Sequence, residues 1–193
     1  MNHWIVSYGT LVNKKITDKT GNSSEYIPCL IHNHIRRWSF SLPSEKRSAA
    51  GIEQKNNAFT TGMLVKIPES ELPKFDKREK GYTRQRVVDR KILKPLSKST
   101  PNGNFSLYVQ NIAKIPTNKT PISQTMVDVI VDAHLKFSEE FAVQFIETTL
   151  DWEKPWVNDR NNPLYPRYLD NLPIKKIDML LKSTIPQHFA KRI

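Results

Sequence analysis

The chain has 193 residues, 38% hydrophobic and 25% charged, with a net charge of +11. That balance fits one folded domain with its own core rather than a disordered or membrane protein. No apolar run approaches the roughly 20 residues a helix needs to cross a bilayer. Met1-Asn2-His3-Trp4 lacks a signal-peptide pattern, and the one cysteine, Cys29, has no intrachain partner. These features give the expectation of a cytoplasmic protein with no membrane partner. The positive excess sits in the first 120 residues, which hold 21 Lys and Arg against 9 acids, while residues 121–193 hold 9 against 10. It is densest over residues 74–98, where ten basic residues meet three acids. Such a stretch suits a solvated face, an anionic small ligand or the phosphates of a nucleic acid.

In chain order, Trp4-Ile5-Val6 reads as a first strand and Tyr8-Gly9-Thr10-Leu11 as the turn that follows it. Gly9 is expected to take a backbone conformation closed to residues with a Cβ. Successive N–H groups of such a turn can converge on an anion or a polarised carbonyl. Residues 13–25 are polar and read as an exposed loop. Residues 26–32 and 35–42 read as two strands, the second alternating so that Trp38 and Phe40 share a core face. Residues 43–57 read as loop and 58–67 as a strand, in which Gly62 marks a bulge or a close backbone approach. Ser70 is an N-cap candidate for a short helix, with Leu72 and Phe75 facing the core and Gly81 as its C′ stop. Residues 82–96 read as extended, Pro101-Asn102-Gly103 as a turn and residues 105–113 as a strand.

The last third changes character. Met126, Val127, Ile130, Val131 and Leu135 recur with a helical period over 122–136. Ser138-Glu139-Glu140 opens a second helix with an N-cap and acids in its first turn. Residues 151–173, rich in Trp, Tyr, Pro and Asn, read as irregular but packed, and 174–183 as a last helix. The expected class is α+β: a small mixed β-barrel or a strongly curved open sheet, with flanking helices and a helical, aromatic-rich C-terminal third. Residues 1–193 are expected to form one domain, a β-rich part over 1–115 with a helical part over 116–193 packed on it.

Among chemistry-bearing residues, Glu79 lies at the end of the short helix, where the macrodipole presents negative charge. Burial there would raise its pKa, as a general base requires, while Lys77, Arg78 and Lys80 would pull it down if close. The competing reading is a surface Glu in i,i+4 pairs. His32 and His34 share a strand face but lack an evident third ligand, so no metal site is expected. Neither a nucleophile elbow, a P-loop nor a dinucleotide fingerprint is present. Cys29 reads as a small core residue, and Arg36-Arg37-Trp38 as a pair of cations that could meet RNA beside a core tryptophan.

Tyr8-Gly9-Thr10-Leu11 taken with Phe75-Asp76-Lys77-Arg78-Glu79-Lys80-Gly81-Tyr82-Thr83-Arg84 resembles the γ-glutamylcyclotransferase superfamily. There a strand ends in a YGSL or YGTL loop, and a later (L/F)D-x-x-E-x-x-Y-x-R stretch supplies one essential glutamate. The segments Glu139-Glu140-Phe141-Ala142, Trp156-Val157-Asn158-Asp159-Arg160 and Tyr165-Pro166-Arg167 resemble a bacterial subgroup of γ-glutamylcyclotransferase-like proteins. The resemblance implies a cofactor-free enzyme that cyclises a γ-glutamyl amine, amino acid or peptide to 5-oxoproline and releases the amine. It implies Glu79 as the proton shuttle, with Tyr8, Gly9, Thr10, Leu11, Tyr82 and Arg84 at substrate-binding positions. Arg84 is equally open to a structural role, pairing with a carboxylate. Met126 stands where the family often carries a Tyr.

The expected partner is therefore a small γ-glutamyl substrate, with no nucleic acid and a monomeric or homodimeric state. Two alternatives stand beside it. One is a non-enzymatic basic module that contacts RNA or another polyanion through residues 74–98 with Arg36 and Arg37. The other is a family member that kept the fold and lost the activity.

Overall fold

The computed structural model describes residues 2–96 and 99–193, so Lys98, the last residue of the basic stretch, lies outside the described residues. The chain divides into two compact units, Met1–Ile35 with Ile52–Ile112, and Arg36–Gly51 with Ala113–Ile193.

In the first unit, β1 (Asn2–Ser7) is buried at every residue but its first, the pattern of a strand covered on both faces. A 3-10 turn (Thr10–Val12) and α1 (Lys14–Asp18) follow. The exposed loop expected over 13–25 is thus partly helical. Asn13 caps the helix by accepting the Lys15 N–H at 3.1 Å, and Ile16 and Thr17 bury its inner side. The long strands β2 (Glu25–Leu42) and β3 (Arg47–Pro68) come next. β2 merges the two strands expected over 26–32 and 35–42. Asn33 keeps it continuous at φ 56°, a left-handed conformation Asn tolerates, and accepts the Asn57 N–H at 3.2 Å.

α2 (Leu72–Arg78) buries Leu72 and Phe75. Ser70 does not cap it, because a 3-10 turn over Glu69–Glu71 leads directly into the helix. Glu79 is the C-cap, and Gly81, at φ 95°, lies two residues beyond it. β4 (Tyr82–Arg86), β5 (Leu93–Pro95) and β6 (Asn104–Gln110) complete the unit. A 3-10 turn at Arg90–Ile92 interrupts the stretch expected to be extended over 82–96.

Strand order among the described residues is β4-β6-β1-β3-β2-β5, with β1 antiparallel to β3 and parallel to β6. β4 and β5 remain as edges, so the sheet is mixed and open, and the barrel alternative is not adopted. Residues 83–86 of β4 are exposed, and cations on both edges (Arg84, Arg86, Lys94) discourage further strand pairing.

In the second unit, β3 already starts at Arg47, inside the stretch expected to be loop. Ser48 pairs with Ile122 of β7 (Ile122–Ser123), and its hydroxyl donates to the Thr120 carbonyl at 2.7 Å. Tertiary pairing here outweighs weak strand propensity. α3 (Gln124–Leu135) is buried from Gln124 to His134, as a helix enclosed on all sides must be. α4 (Glu139–Glu147) has the expected cap, Ser138 accepting the Phe141 N–H at 3.1 Å. β8 (Thr149–Leu150), β9 (Trp156–Val157), α5 (Ile174–Thr184) and α6 (Pro186–Ala190) follow.

The aromatic segment over 151–173 is irregular and packed, and Asp159 organises it. Its Oδ1 accepts the Thr125 N–H at 2.8 Å. Its Oδ2 accepts Ser123 Oγ and Thr125 Oγ1, both at 2.7 Å, and the Leu164 N–H at 2.8 Å. Trp152 packs between Trp38 and Trp156, with ring centroids 5.2 and 5.0 Å away. Met126 is buried in this unit, its sulfur accepting from Arg47 at 3.3 Å.

Two predictions follow from this packing. An added Cβ on Gly62 would lie 2.5 Å from the Ser7 carbonyl oxygen and 2.8 Å from Ile31 Cδ1, the close approach the sequence allowed for. Gly62→Ala should therefore cost about 1–3 kcal/mol in urea unfolding, and a midpoint equal to that of the wild type would refute this.

His134 is the second case. Its ring stacks on Phe141 and Phe145, with centroids 4.7 and 4.9 Å away, and its Nδ1–H donates to the Ile130 carbonyl at 2.8 Å. Burial, reinforced by the charge of Arg36 and opposed by that hydrogen bond, pushes its pKa from 6.5 down to about 3. A base depressed by folding contributes stability that is full above its unfolded pKa and is lost as pH falls through the window between the two values. The urea midpoint should thus decline between pH 6.5 and about 3, and His134→Gln should flatten that decline. An unchanged slope in the variant would exclude His134 as its source.

Candidate functional site

The turn after β1 and the end of α2, both in the first unit, meet through one side chain that the sequence reading did not select. Arg78 is the last residue of α2, and its side chain is only 6% exposed. Its Nε donates to Glu79 Oε1 at 2.9 Å, one terminal nitrogen to Thr10 Oγ1 at 3.0 Å and the other to Thr20 Oγ1 at 2.8 Å. The two motifs, 68 residues apart, are thus brought to one guanidinium. Glu79 is 18% exposed along its side chain. Its Oε1 is held by Arg78, and no donor among the described residues reaches Oε2. A carboxylate fixed through one oxygen keeps the other for a further partner.

The turn differs from expectation at Gly9. Its φ is −109°, a value open to any L residue, so no left-handed backbone demands glycine there. What glycine provides is space, because a Cβ at residue 9 would meet no atom within 4 Å. The backbone is consequently approachable at this point. Thr10 and Leu11 open the 3-10 turn, where the first N–H groups have no acceptor inside the helix. Leu11 is buried. Tyr8 is also buried and donates its hydroxyl to the Tyr108 carbonyl at 2.7 Å, so that hydroxyl anchors the strand end to β6.

Tyr82 begins β4 opposite Gln110, and Arg84 sits opposite Tyr108. Arg84 forks onto Asp76, with Nε to Oδ1 at 2.8 Å and NH2 to Oδ2 at 3.2 Å, and Tyr108 donates to the same Oδ1 at 2.8 Å. Burial alone would raise the Asp76 carboxyl, but the donors Arg84 and Tyr108 and the charge of Arg84 outweigh it and hold the group below the usual carboxylate range. Burial, and then Asp76, push the Tyr108 phenol upward, which keeps it a donor. The chain Tyr8–Tyr108–Asp76–Arg84 thereby ties α2 to β4, β6 and the end of β1, and Glu79 is placed by that anchorage.

Arg78, Thr20 and Tyr108 escaped the sequence reading, and Asp76 stood in the motif without a role. The helical period held a usable signal for the first, since Leu72, Phe75 and Arg78 recur every three residues on the buried side of α2. Its membership of a basic cluster obscured it. Thr20 and Tyr108 carried no local signal.

The other candidates are accounted for locally. Cys29 is fully buried, and burial alone pushes its thiol upward, as a core residue requires. His34 Nδ1 lies 2.9 Å from the His32 carbonyl, and His32 packs against Phe59. Two of the cations named in the polyanion reading, beside the stretch 74–98, are engaged within the protein. Arg36 is fully buried, its guanidinium 4.3 Å from the Phe145 ring and its Nε donating to Thr149 at 2.9 Å. Arg37 forks onto Asp151 at 2.7 and 3.1 Å. The second unit contains a cavity of about 330 Å³ lined by Thr125, Asp128, Arg160, Tyr168, Leu172 and Ile174 among others, and none of the sequence-predicted site residues faces it. No helix of the described residues is long and apolar enough to cross a membrane.

No protein-family model and no curated protein matches the sequence. Solved structures do match the fold. One described as a gamma-glutamyl cyclotransferase superposes with a TM-score of 0.62 at 12% identity, covering 94% of this chain and 99% of its own. An uncharacterised protein from Homo sapiens gives 0.61 at 13% identity, covering 93% and 98%. YkqA from Bacillus subtilis gives 0.53 at 18% identity, covering 73% of this chain and 51% of its own. This chain is therefore built on the γ-glutamyl cyclotransferase fold, an α+β arrangement around an open mixed sheet.

Proposed function

We propose that the chain is a γ-glutamylcyclotransferase-like enzyme that converts a γ-glutamyl amine, amino acid or peptide to 5-oxoproline and the free amine. The observation that carries this reading is the Arg78 guanidinium joining the Glu79 carboxylate to Thr10 of the turn. Through it Glu79, whose Oε2 meets no donor among the described residues, is linked to the Thr10 side chain of the first motif.

In this reading the γ-glutamyl group lies against the open backbone at Gly9. Glu79 Oε2 takes a proton from the substrate's α-ammonium, and the freed amine attacks the γ-carbonyl carbon of the same molecule. The N–H groups of Thr10 and Leu11 hold the oxygen that gains negative charge. As the tetrahedral centre collapses, the bond to the leaving nitrogen breaks and Glu79 returns the proton to it. One C–N bond forms and one breaks; the α-nitrogen sheds two protons on becoming the lactam N–H, the first carried by Glu79 to the leaving nitrogen and the second following it, so that the amine departs as its ammonium. Because nucleophile and electrophile belong to one molecule, the protein's main task is to hold the γ-glutamyl chain folded for attack. Arg84 and Tyr8 support the frame in this scheme, and Tyr82 opens β4 three residues after the C-cap.

The test is 5-oxoproline release across a panel of γ-glutamyl amines, amino acids and peptides, comparing wild type with Glu79→Gln. The swap preserves size and removes the base. Turnover of at least one compound, slowed about 10²-fold or more in the variant at unchanged melting temperature, is the expected outcome. A variant as fast as wild type would remove Glu79 from the chemistry.

A further inference from the structure

Arg78 is a cation buried next to the proposed base, and its position is not accounted for by packing alone. Three of the five guanidinium N–H groups are directed at three separate pieces of chain: Glu79 at the end of α2, Thr10 in the turn and Thr20 just beyond α1. A guanidinium is a flat, rigid fork, so acceptors bound to its different nitrogens are held at fixed separations and in one plane. Thr10 and Glu79 are accordingly kept in register with each other. Thr20 serves as the outside brace. Its hydroxyl receives Arg78 at 2.8 Å and lies 3.4 Å from the Ile16 carbonyl of α1. A lysine at this place could not reproduce the arrangement, since an ammonium has no fixed angular relation among its donors.

We infer that Arg78 is a positioning residue for the cyclisation, setting the separation between the Glu79 carboxylate and the 9–11 turn and leaving Oε2 as the proton-accepting atom. The inference rests on the cyclotransferase reading and deepens it. Arg78 acts through Glu79 and Thr10, so its loss changes the alignment of base and oxyanion donors more than the affinity for substrate. Misplacement of reacting groups by about 1 Å can cost on the order of 10²-fold in rate. Thr20 reaches the site only through Arg78 and shares the effect at smaller size.

The experiment compares steady-state cyclisation by wild type, Arg78→Lys, Arg78→Gln and Thr20→Val, each checked for folding by its thermal melt. The assay is joined to the methyl resonances of Thr10 and Thr20 in the substrate-free proteins. Arg78→Lys keeps the buried charge and serves if Arg78→Gln does not fold. Both Arg78 variants should lower kcat about 10- to 100-fold with KM within about threefold, and Thr20→Val should lower kcat by about threefold to tenfold, again at constant KM. The Thr10 methyl should shift in all three. Wild-type turnover retained within about twofold by the Arg78 variants would overturn the role of Arg78 alone. A raised KM at unchanged kcat would overturn it in favour of direct substrate binding. A wild-type protein that releases no 5-oxoproline from any compound, with the Thr10 shift present, would overturn the cyclotransferase reading and this role together.

Discussion

The contact between the Arg78 guanidinium and the Glu79 carboxylate is the point on which the first unit's site depends. Taking two charges out of water costs several kcal/mol for each ion, and the attraction between them recovers that cost only when the remaining donors and acceptors are satisfied. Here one N–H of each terminal nitrogen is spent on a threonine hydroxyl, the two from different parts of the chain. The pair is therefore better understood as a geometric constraint than as a source of stability. It fixes which carboxylate oxygen is engaged and how far the turn stands from it, both of which an intramolecular acyl transfer would need.

That constraint is in turn supported from outside. α2 has only seven residues, too few to hold a defined orientation by itself. Phe75 anchors its buried side, and Asp76 holds its other side to Arg84 and Tyr108. Tyr8 closes the circuit through the Tyr108 carbonyl. Several residues that share the sequence motifs thus work as fasteners, with Glu79 and the backbone of the turn as the groups they align. The second unit uses the same device away from the motifs. Asp159 gathers four donors at the start of α3. Arg160 bridges Asp128 and Asp178, giving an otherwise irregular aromatic segment a definite path.

Much of the fold was legible because local signals agreed with tertiary ones. The Ser138 cap, the burial of Leu72 and Phe75, the period of α3 and the close approach at Gly62 all follow from short-range rules. The failures have physical causes as well. The first half of β3 is polar, and its tertiary pairing, with β2 along the sheet and with β7 at Ser48, makes it a strand. Residues 13–18 look like loop because Lys14, Lys15 and Asp18 are polar, whereas Ile16 and Thr17 supply the buried side that a one-turn helix needs. Arg36 looks like a surface cation, yet Phe145 and Thr149 enclose it. For the proposed site, the turn and Glu79 are the parts that the motifs single out. For Arg78 the helical period pointed inward, but what it holds became clear only with the partner hydroxyls, 58 and 68 residues away, placed beside it.

The most direct test of the central claim, that the turn after β1 and the end of α2 form one ligand site, is an NMR titration with 5-oxoproline. Amide resonances of Gly9, Thr10, Leu11 and Glu79 should move together along one saturable isotherm. Movement confined to the Asp128–Arg160 cavity, or saturable binding that leaves Gly9, Thr10 and Leu11 in place, would contradict the account.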